Sequence, residues 1–299
     1  MTSRLLAPFD LLTPQSVSEG VQMLAQYQSQ VAILNGGTAL WNHHRKLKHQ
    51  PPYILTLSAL KELDYIDYIP GEGLRIGAKA KICDLIENPV VAARFPALYE
   101  AAYWFGNPQI RFMATAMGNI LRASPSADCS CAILALGGQV VLQSQSGQRI
   151  VDIDDFWLSY DVTARRCDEL ATEIRIPETG STTCSSFQRL TRVRQDLAKI
   201  NVAVRLEMSQ GVCRQARIAM GCVGPTTKRL TGVEQLLMGN PVTDELLQQL
   251  ATAVKSEITP IDDQRSTAAY RTQVSGVILR RVIERALSAN MNCDSRERS

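Results

Sequence analysis

The chain has 299 residues and a mass of 33.0 kDa, enough for two ordinary domains of roughly 100–200 residues each. Hydrophobic residues make up 45% of it and charged residues 20%, which excludes a disordered tail protein and a collagen-like repeat. With 32 basic against 29 acidic residues the net charge is +3, too small for the phosphate-facing surface of a nucleic-acid binder.

Ser16-Val-Ser-Glu19 matches a capping box, and Val17, Val21 and Leu24 follow at helical spacing, so a helix is predicted over roughly 15–28. Val31–Leu34 reads as a short buried strand running straight into Asn35-Gly-Gly-Thr38, and Tyr53–Leu57 as a second. Alternation over 63–69, a turn at Gly71-Glu-Gly73 and the run 74–78 predict a hairpin. Helices are expected over 81–87 and 96–105, with a further one ending at 132–136. The strands 140–143 and 149–153 follow, joined by a turn at 144–147, and another strand lies ahead of Pro177. The polar, small-residue stretch Glu178–Thr183 marks the best domain boundary. Beyond it come strand-like runs at 185–190, 203–208 and 216–222, then helices near 231–238, 243–257 and 263–288. In the last helix Val274, Ile278, Val282 and Ala286 form one apolar stripe.

No apolar run approaches the roughly 20 residues that cross a bilayer, and residues 1–10 lack the apolar segment and cleavage site of a secretory signal. A cytoplasmic location is expected. The eight cysteines are scattered without a CxxC, which suits reduced, mostly buried thiols and predicts no metal site on this chain. Every histidine falls in His43–His49, a basic segment that suits a solvated or partner-facing surface better than a metal site. That confinement also argues against a Ser-His-Asp or Cys-His hydrolase. Gly71–Gly77 has the spacing G-x-G-x-x-x-G between two strands, so it fails the dinucleotide fingerprint and reads as a hairpin turn.

Two segments can carry chemistry. Adjacent glycines in Asn35–Thr38, after a strand, can aim backbone N–H groups at an anion such as a diphosphate; the alternative is a tight turn that binds nothing. In Thr115-Ala-Met-Gly-Asn119, Gly118 permits close backbone approach while Thr115 and Asn119 supply side-chain hydrogen bonds. In the following Ala123–Asp128, Asp128 can accept from ribose hydroxyls, or Ser124 or Ser126 can simply cap a helix.

These two loops, in this order and some 80 positions apart, resemble those of the flavin-binding medium subunit of the molybdenum hydroxylases, the xanthine dehydrogenase and carbon monoxide dehydrogenase family. The family's first loop usually reads Ala-Gly-Gly-Thr. Its second reads Thr-Ile-Gly-Gly-Asn-Ile and then Ala-Ser-Pro-x-x-Asp, here Thr115–Ile120 and Ala123–Asp128. Pro108–Arg111, Ala135–Gly137, Asp196–Ala203, Gly224–Thr226 and Ser266–Arg271 extend the likeness nearly end to end.

The resemblance implies an α+β fold. A two-subdomain FAD-binding domain of the vanillyl-alcohol-oxidase-like type would cover 1–178, with subdomains at about 1–58 and 59–178. A smaller domain at 184–290, a β-sheet packed with three helices, would follow, then a polar tail at 291–299. It also implies FAD held by Ile33, Leu34, Asn35, Gly36, Gly37, Thr38, Ala39 and Leu40 from one side and by Thr115, Gly118 and Asn119 from the other. Asp128 would meet the adenosine ribose, Phe105 and Leu170 would lie near the flavin ring, and Arg189 would stand where relatives often place a basic contact. Met117 replaces a family glycine, so its side chain must either point away or crowd the phosphates.

The implied function is electron transfer, with no acid–base catalyst on this chain. FAD would take electrons from 2Fe-2S clusters in a small partner subunit, fed by a large molybdopterin-binding subunit, and pass them to NAD or another acceptor. An assembly subunit that has lost its cofactor, supported by Met117, and a stand-alone flavin oxidoreductase are the alternatives.

Overall fold

The computed structural model describes residues 7–44 and 50–297; most of the basic histidine segment, residues 45–49, lies outside the described residues. The chain opens with β1 (Asp10–Leu12), α1 (Val17–Tyr27), β2 (Val31–Leu34), α2 (Leu40–His44) and β3 (Tyr53–Thr56), the strands forming a parallel sheet in the order β1-β3-β2. Ser16 caps α1 by accepting from Glu19 N–H at 3.2 Å. The reciprocal half of the expected box is displaced by one residue, since the Glu19 carboxylate takes the N–H of Gln15 instead. The first strand was not foreseen: Asp10–Leu12 is too short for alternation to show, and pairing with β3 makes it a strand.

Next come β4 (Ile66–Ile69), β5 (Gly73–Gly77), α3 (Ile82–Glu87), α4 (Pro89–Arg94), α5 (Pro96–Trp104), α6 (Pro108–Arg111), α7 (Ala116–Leu121), α8 (Asp128–Leu136), β6 (Gln139–Ser144) and β7 (Gly147–Asp152). The small ribbon β8 (Trp157–Ser159) and β9 (Val162–Thr163) precedes β10 (Leu170–Pro177). Five of these strands form an antiparallel sheet in the order β4-β5-β10-β6-β7. Gly71–Gly77 is the hairpin of β4 and β5, as its spacing predicts.

The remainder is an antiparallel sheet in chain order, β11 (Thr183–Leu190), β12 (Ile200–Ser209), β13 (Val212–Gly221) and β14 (Lys228–Arg229), followed by α9 (Thr231–Leu237), α10 (Asp244–Glu257) and α11 (Ala268–Glu297). Strand alternation gives this sheet two apolar faces. Val202, Val204, Leu206, Ile218 and Met220 pack with α9–α11, while Phe187, Ala203 and Ala219 join the core of the preceding residues. Helix α8 fills the gap between the sheets and is buried on every side, which explains why Cys129–Leu136 is apolar or small throughout. Arg271, 2% exposed, ties α11 to the sheet by donating to the carbonyls of Lys199 and Ile261 and to Asp263. Burial works to raise the Asp263 carboxyl, but Arg271, Arg265 and two backbone N–H groups outweigh it and hold the group well below the usual carboxylate range. The fold is therefore the expected α+β arrangement.

Candidate functional site

The two loops are 80 residues apart in the chain and meet in space. Asn35, leaving β2, donates through Nδ2 to the carbonyl of Ala78 at 2.7 Å and to Thr115 Oγ1 at 3.2 Å. Gly36 lies directly against the backbone ahead of the second loop: a Cβ placed on it would fall 1.9 Å from the Met113 carbonyl oxygen and 3.1 Å from Ala114 Cα. Gly37 has φ +69°, the left-handed region that glycine enters without penalty, and its Cβ position is crowded by Trp41 and Leu34. Ile33, Leu34, Thr38 and Leu40 are half-buried and Ala39 is exposed, on the edge strand β2 and the turn after it. The outcome is a bare main-chain ledge braced from behind by a second ledge.

The second loop is the start of a helix. Thr115 is the N-cap of α7, its hydroxyl accepting from Gly118 N–H at 3.0 Å. Gly118 itself would meet only that hydroxyl if it carried a Cβ. Asn119 uses its side-chain oxygen to accept from Ser130 N–H at 3.1 Å, which ties α7 to α8. Met117 is 2% exposed and packs in the first core, so it points away from the loop surface and cannot crowd a ligand there. Neither Ser124 nor Ser126 caps α8; their hydroxyls bond each other at 3.0 Å, and the N-cap is Ala127, without a side-chain bond.

Asp128 and Arg189 find one another. The carboxylate is 4% exposed and accepts from Arg189 Nη1 at 2.6 Å and from Asn201 Nδ2 at 2.9 Å, joining α8 to β11 and β12. Burial pushes the Asp128 carboxyl up, while Arg189 and Asn201 pull it down. Each oxygen thus accepts a hydrogen bond within the protein, and Asp128 cross-links the two halves of the chain. Arg189 is likewise turned to Asp128 and to the carbonyl of Arg194. Leu170, 1% exposed, packs its side chain in the first core. Phe105 caps the end of α5 and packs partly buried on the same core.

Sequence reasoning overlooked three residues nearby. Arg194 stacks on Tyr103 and Trp104, 4.9 Å from each ring centre. The Nε of Arg111 is shielded from solvent with no hydrogen-bond partner among the described residues; burial and the nearby Arg194 and Arg189 push this guanidinium's pKa down. Asn201, fully buried, completes the cage around Asp128. Arg111 and Asn201 had left a trace in the sequence, as parts of the family-like Pro108–Arg111 and Asp196–Ala203.

Residues 7–179 match the family described as the FAD binding domain in molybdopterin dehydrogenase. The chain belongs to that family. Residues 185–286 match the carbon monoxide dehydrogenase flavoprotein C-terminal domain. Among characterised relatives, the carbon monoxide dehydrogenase medium chain of Hydrogenophaga pseudoflava is 32% identical over 278 residues, covering 93% of this chain and 96% of that one. The xanthine dehydrogenase FAD-binding subunit of Escherichia coli O157:H7 is 26% identical, covering 92% and 94%. A solved carbon monoxide dehydrogenase from Hydrogenophaga pseudoflava superposes with a TM-score of 0.91 at 31% identity, over 95% of this chain and 99% of that one.

The chain is therefore an FAD-binding medium subunit of the molybdenum hydroxylase family, an oxidoreductase subunit whose cofactor is FAD. The cradle fits that cofactor on its own terms. Gly118 keeps open space apart from the Thr115 hydroxyl, and the shielded Nε of Arg111 has no hydrogen-bond partner among the described residues.

Proposed function

We propose that this subunit holds FAD between an iron–sulfur donor in a small partner subunit and NAD or another acceptor, in a complex whose large subunit carries the molybdopterin. The observation that carries the proposal is the meeting of the two loops through Asn35, Gly36 and Thr115. Ile33–Leu40 would hold the diphosphate from one side and Thr115, Gly118 and Asn119 from the other, with Phe105 beside the ring. Main-chain N–H groups suit that task because they carry partial positive charge without long side chains that must be ordered.

FAD would supply the redox chemistry; the protein places it and tunes its surroundings. Asp128 and Arg189 form a buried ion pair that ties α8 to β11. The inward-pointing Met117 withdraws the support for a subunit that has lost its cofactor. A cytoplasmic location suits the thiols: seven described cysteines are free, and burial pushes Cys184 and Cys213 up to about 11.

The test is direct. The purified chain should show flavin absorbance or take up FAD at one per chain, and should co-purify with a molybdopterin subunit and a 2Fe-2S subunit when expressed with them. A folded chain that never takes up FAD overturns the reading. Substrate turnover by the isolated chain would instead favour a stand-alone flavin enzyme.

A further inference from the structure

We propose that Asn35 is a positioning residue that locks the two halves of the cradle together and turns the Thr115 hydroxyl into a hydrogen-bond donor for the bound phosphate. The inference rests on the FAD reading and assigns Asn35 a role beyond lending its backbone to the first loop.

The argument begins with the orientation of the Asn35 amide. Ala78 offers only a carbonyl oxygen, 2.7 Å away, so the amide must present its NH₂ to it; the reverse orientation would set two acceptors against each other. Of the two protons on Nδ2, one goes to Ala78 and the other to Thr115 Oγ1. Thr115 Oγ1 also accepts from Gly118 N–H at 3.0 Å.

A hydroxyl oxygen has two lone pairs and one proton. With both lone pairs occupied, Thr115 can use its remaining valence only by donating. At 3% exposure it has little bulk water to donate to, and a proton without an acceptor there is costly. The acceptor that fits is an anionic oxygen lying along the two loops.

Asn35 also joins three separate pieces of the fold. It leaves β2 of the parallel sheet, grips the residue that follows β5 of the antiparallel sheet, and reaches the cap of α7. The family's usual residue here is alanine, which can do none of this. The cradle of this chain is accordingly braced before any ligand arrives, and pre-ordering of that kind strengthens binding by reducing what must be fixed on association.

The experiment compares the full-length chain with Asn35→Ala, Asn35→Asp, Thr115→Val and the Asn35→Ala/Thr115→Val double variant. FAD and ADP are the titrants, and amide hydrogen exchange is followed in the ligand-free proteins. Asn35→Ala should weaken both FAD and ADP by about tenfold. Asn35→Asp should weaken them more, because a carboxylate there draws the Thr115 proton to itself and adds negative charge beside the phosphates. Thr115→Val and Asn35→Ala should be non-additive, the double variant binding little worse than Thr115→Val alone.

Exchange at Gly118 should speed up in Asn35→Ala while the melting temperature changes little; a merely structural role would lower the melting temperature and leave the two substitutions additive. FAD and ADP affinities within twofold of the unaltered chain for Asn35→Ala, or additive effects, overturn the inference. Unaltered chain that binds neither titrant overturns the FAD reading instead. In that case unchanged Gly118 exchange in Asn35→Ala still refutes the brace, and faster exchange supports it.

Discussion

The two loops of the cradle look alike in sequence and are built on different physics. The first is a bare turn whose glycines are demanded by the chain itself: Gly36 by the Met113 carbonyl pressed against it, Gly37 by its left-handed backbone. The second is the opening turn of a helix, where Gly118 has room for a methyl group apart from the Thr115 hydroxyl. It is held from within by Met117 in the core and from behind by the bond from Ser130 of α8 to the Asn119 side chain. A glycine motif can therefore record either the fold's own packing or space kept for a ligand, and only the three-dimensional neighbours tell which.

The largest effect should come from the buried anchor of the second loop. Met117→Gly restores the family's usual residue, yet it removes a core side chain at about 2–5 kcal/mol and adds glycine to a helix at about 1 kcal/mol. Chemical denaturation should show that loss, while the FAD affinity of the protein still folded stays unchanged. Tighter FAD binding by the variant would break the distinction drawn here. Asp128→Ala comes next. It leaves Arg189, 4% exposed, buried without its carboxylate, and should cost about 3–5 kcal/mol of stability. If denaturation shows no loss and only FAD affinity falls, Asp128 faces the cofactor after all.

Much of this contrast could be read in the residues beforehand. Strand alternation and glycine turns located β11–β13, and the four-residue stripe in α11 located its buried face, because periodicity reports burial directly. The ordered pair of loops pointed to the family that residues 7–179 match. Other features were hidden. The Asp128–Arg189 bond spans 61 residues, and no local pattern announces which buried carboxylate will meet which guanidinium. The direction of Met117 depends on where Thr115 starts the helix, and six-residue helices such as α7 are shorter than the window in which periodicity shows. The strand β1 and the ribbon β8–β9 were missed for the same reason.

Gly36→Ala and Gly118→Ala complete the comparison. At Gly36 the new methyl would overlap the Met113 oxygen at 1.9 Å, and a carbonyl fixed in backbone cannot swing aside as a side chain can. The first loop must therefore lift off the second, costing about 1–3 kcal/mol of stability as overpacking does. FAD affinity, read by titration, should fall tenfold or more, because the two ledges no longer face one ligand together.

At Gly118 the sign of the stability change is set by two small opposing terms. Alanine favours the helix by up to about 1 kcal/mol over glycine, while its methyl, 3.0 Å from Thr115 Oγ1, strains the cap that holds the first turn. Stability should stay within about 0.5 kcal/mol of the unaltered chain. Affinity for FAD should still drop, since the methyl projects into the space that close approach of a phosphate requires. If Gly118→Ala binds FAD as well as the unaltered chain, this glycine serves only the helix, and the first loop alone carries the close contact.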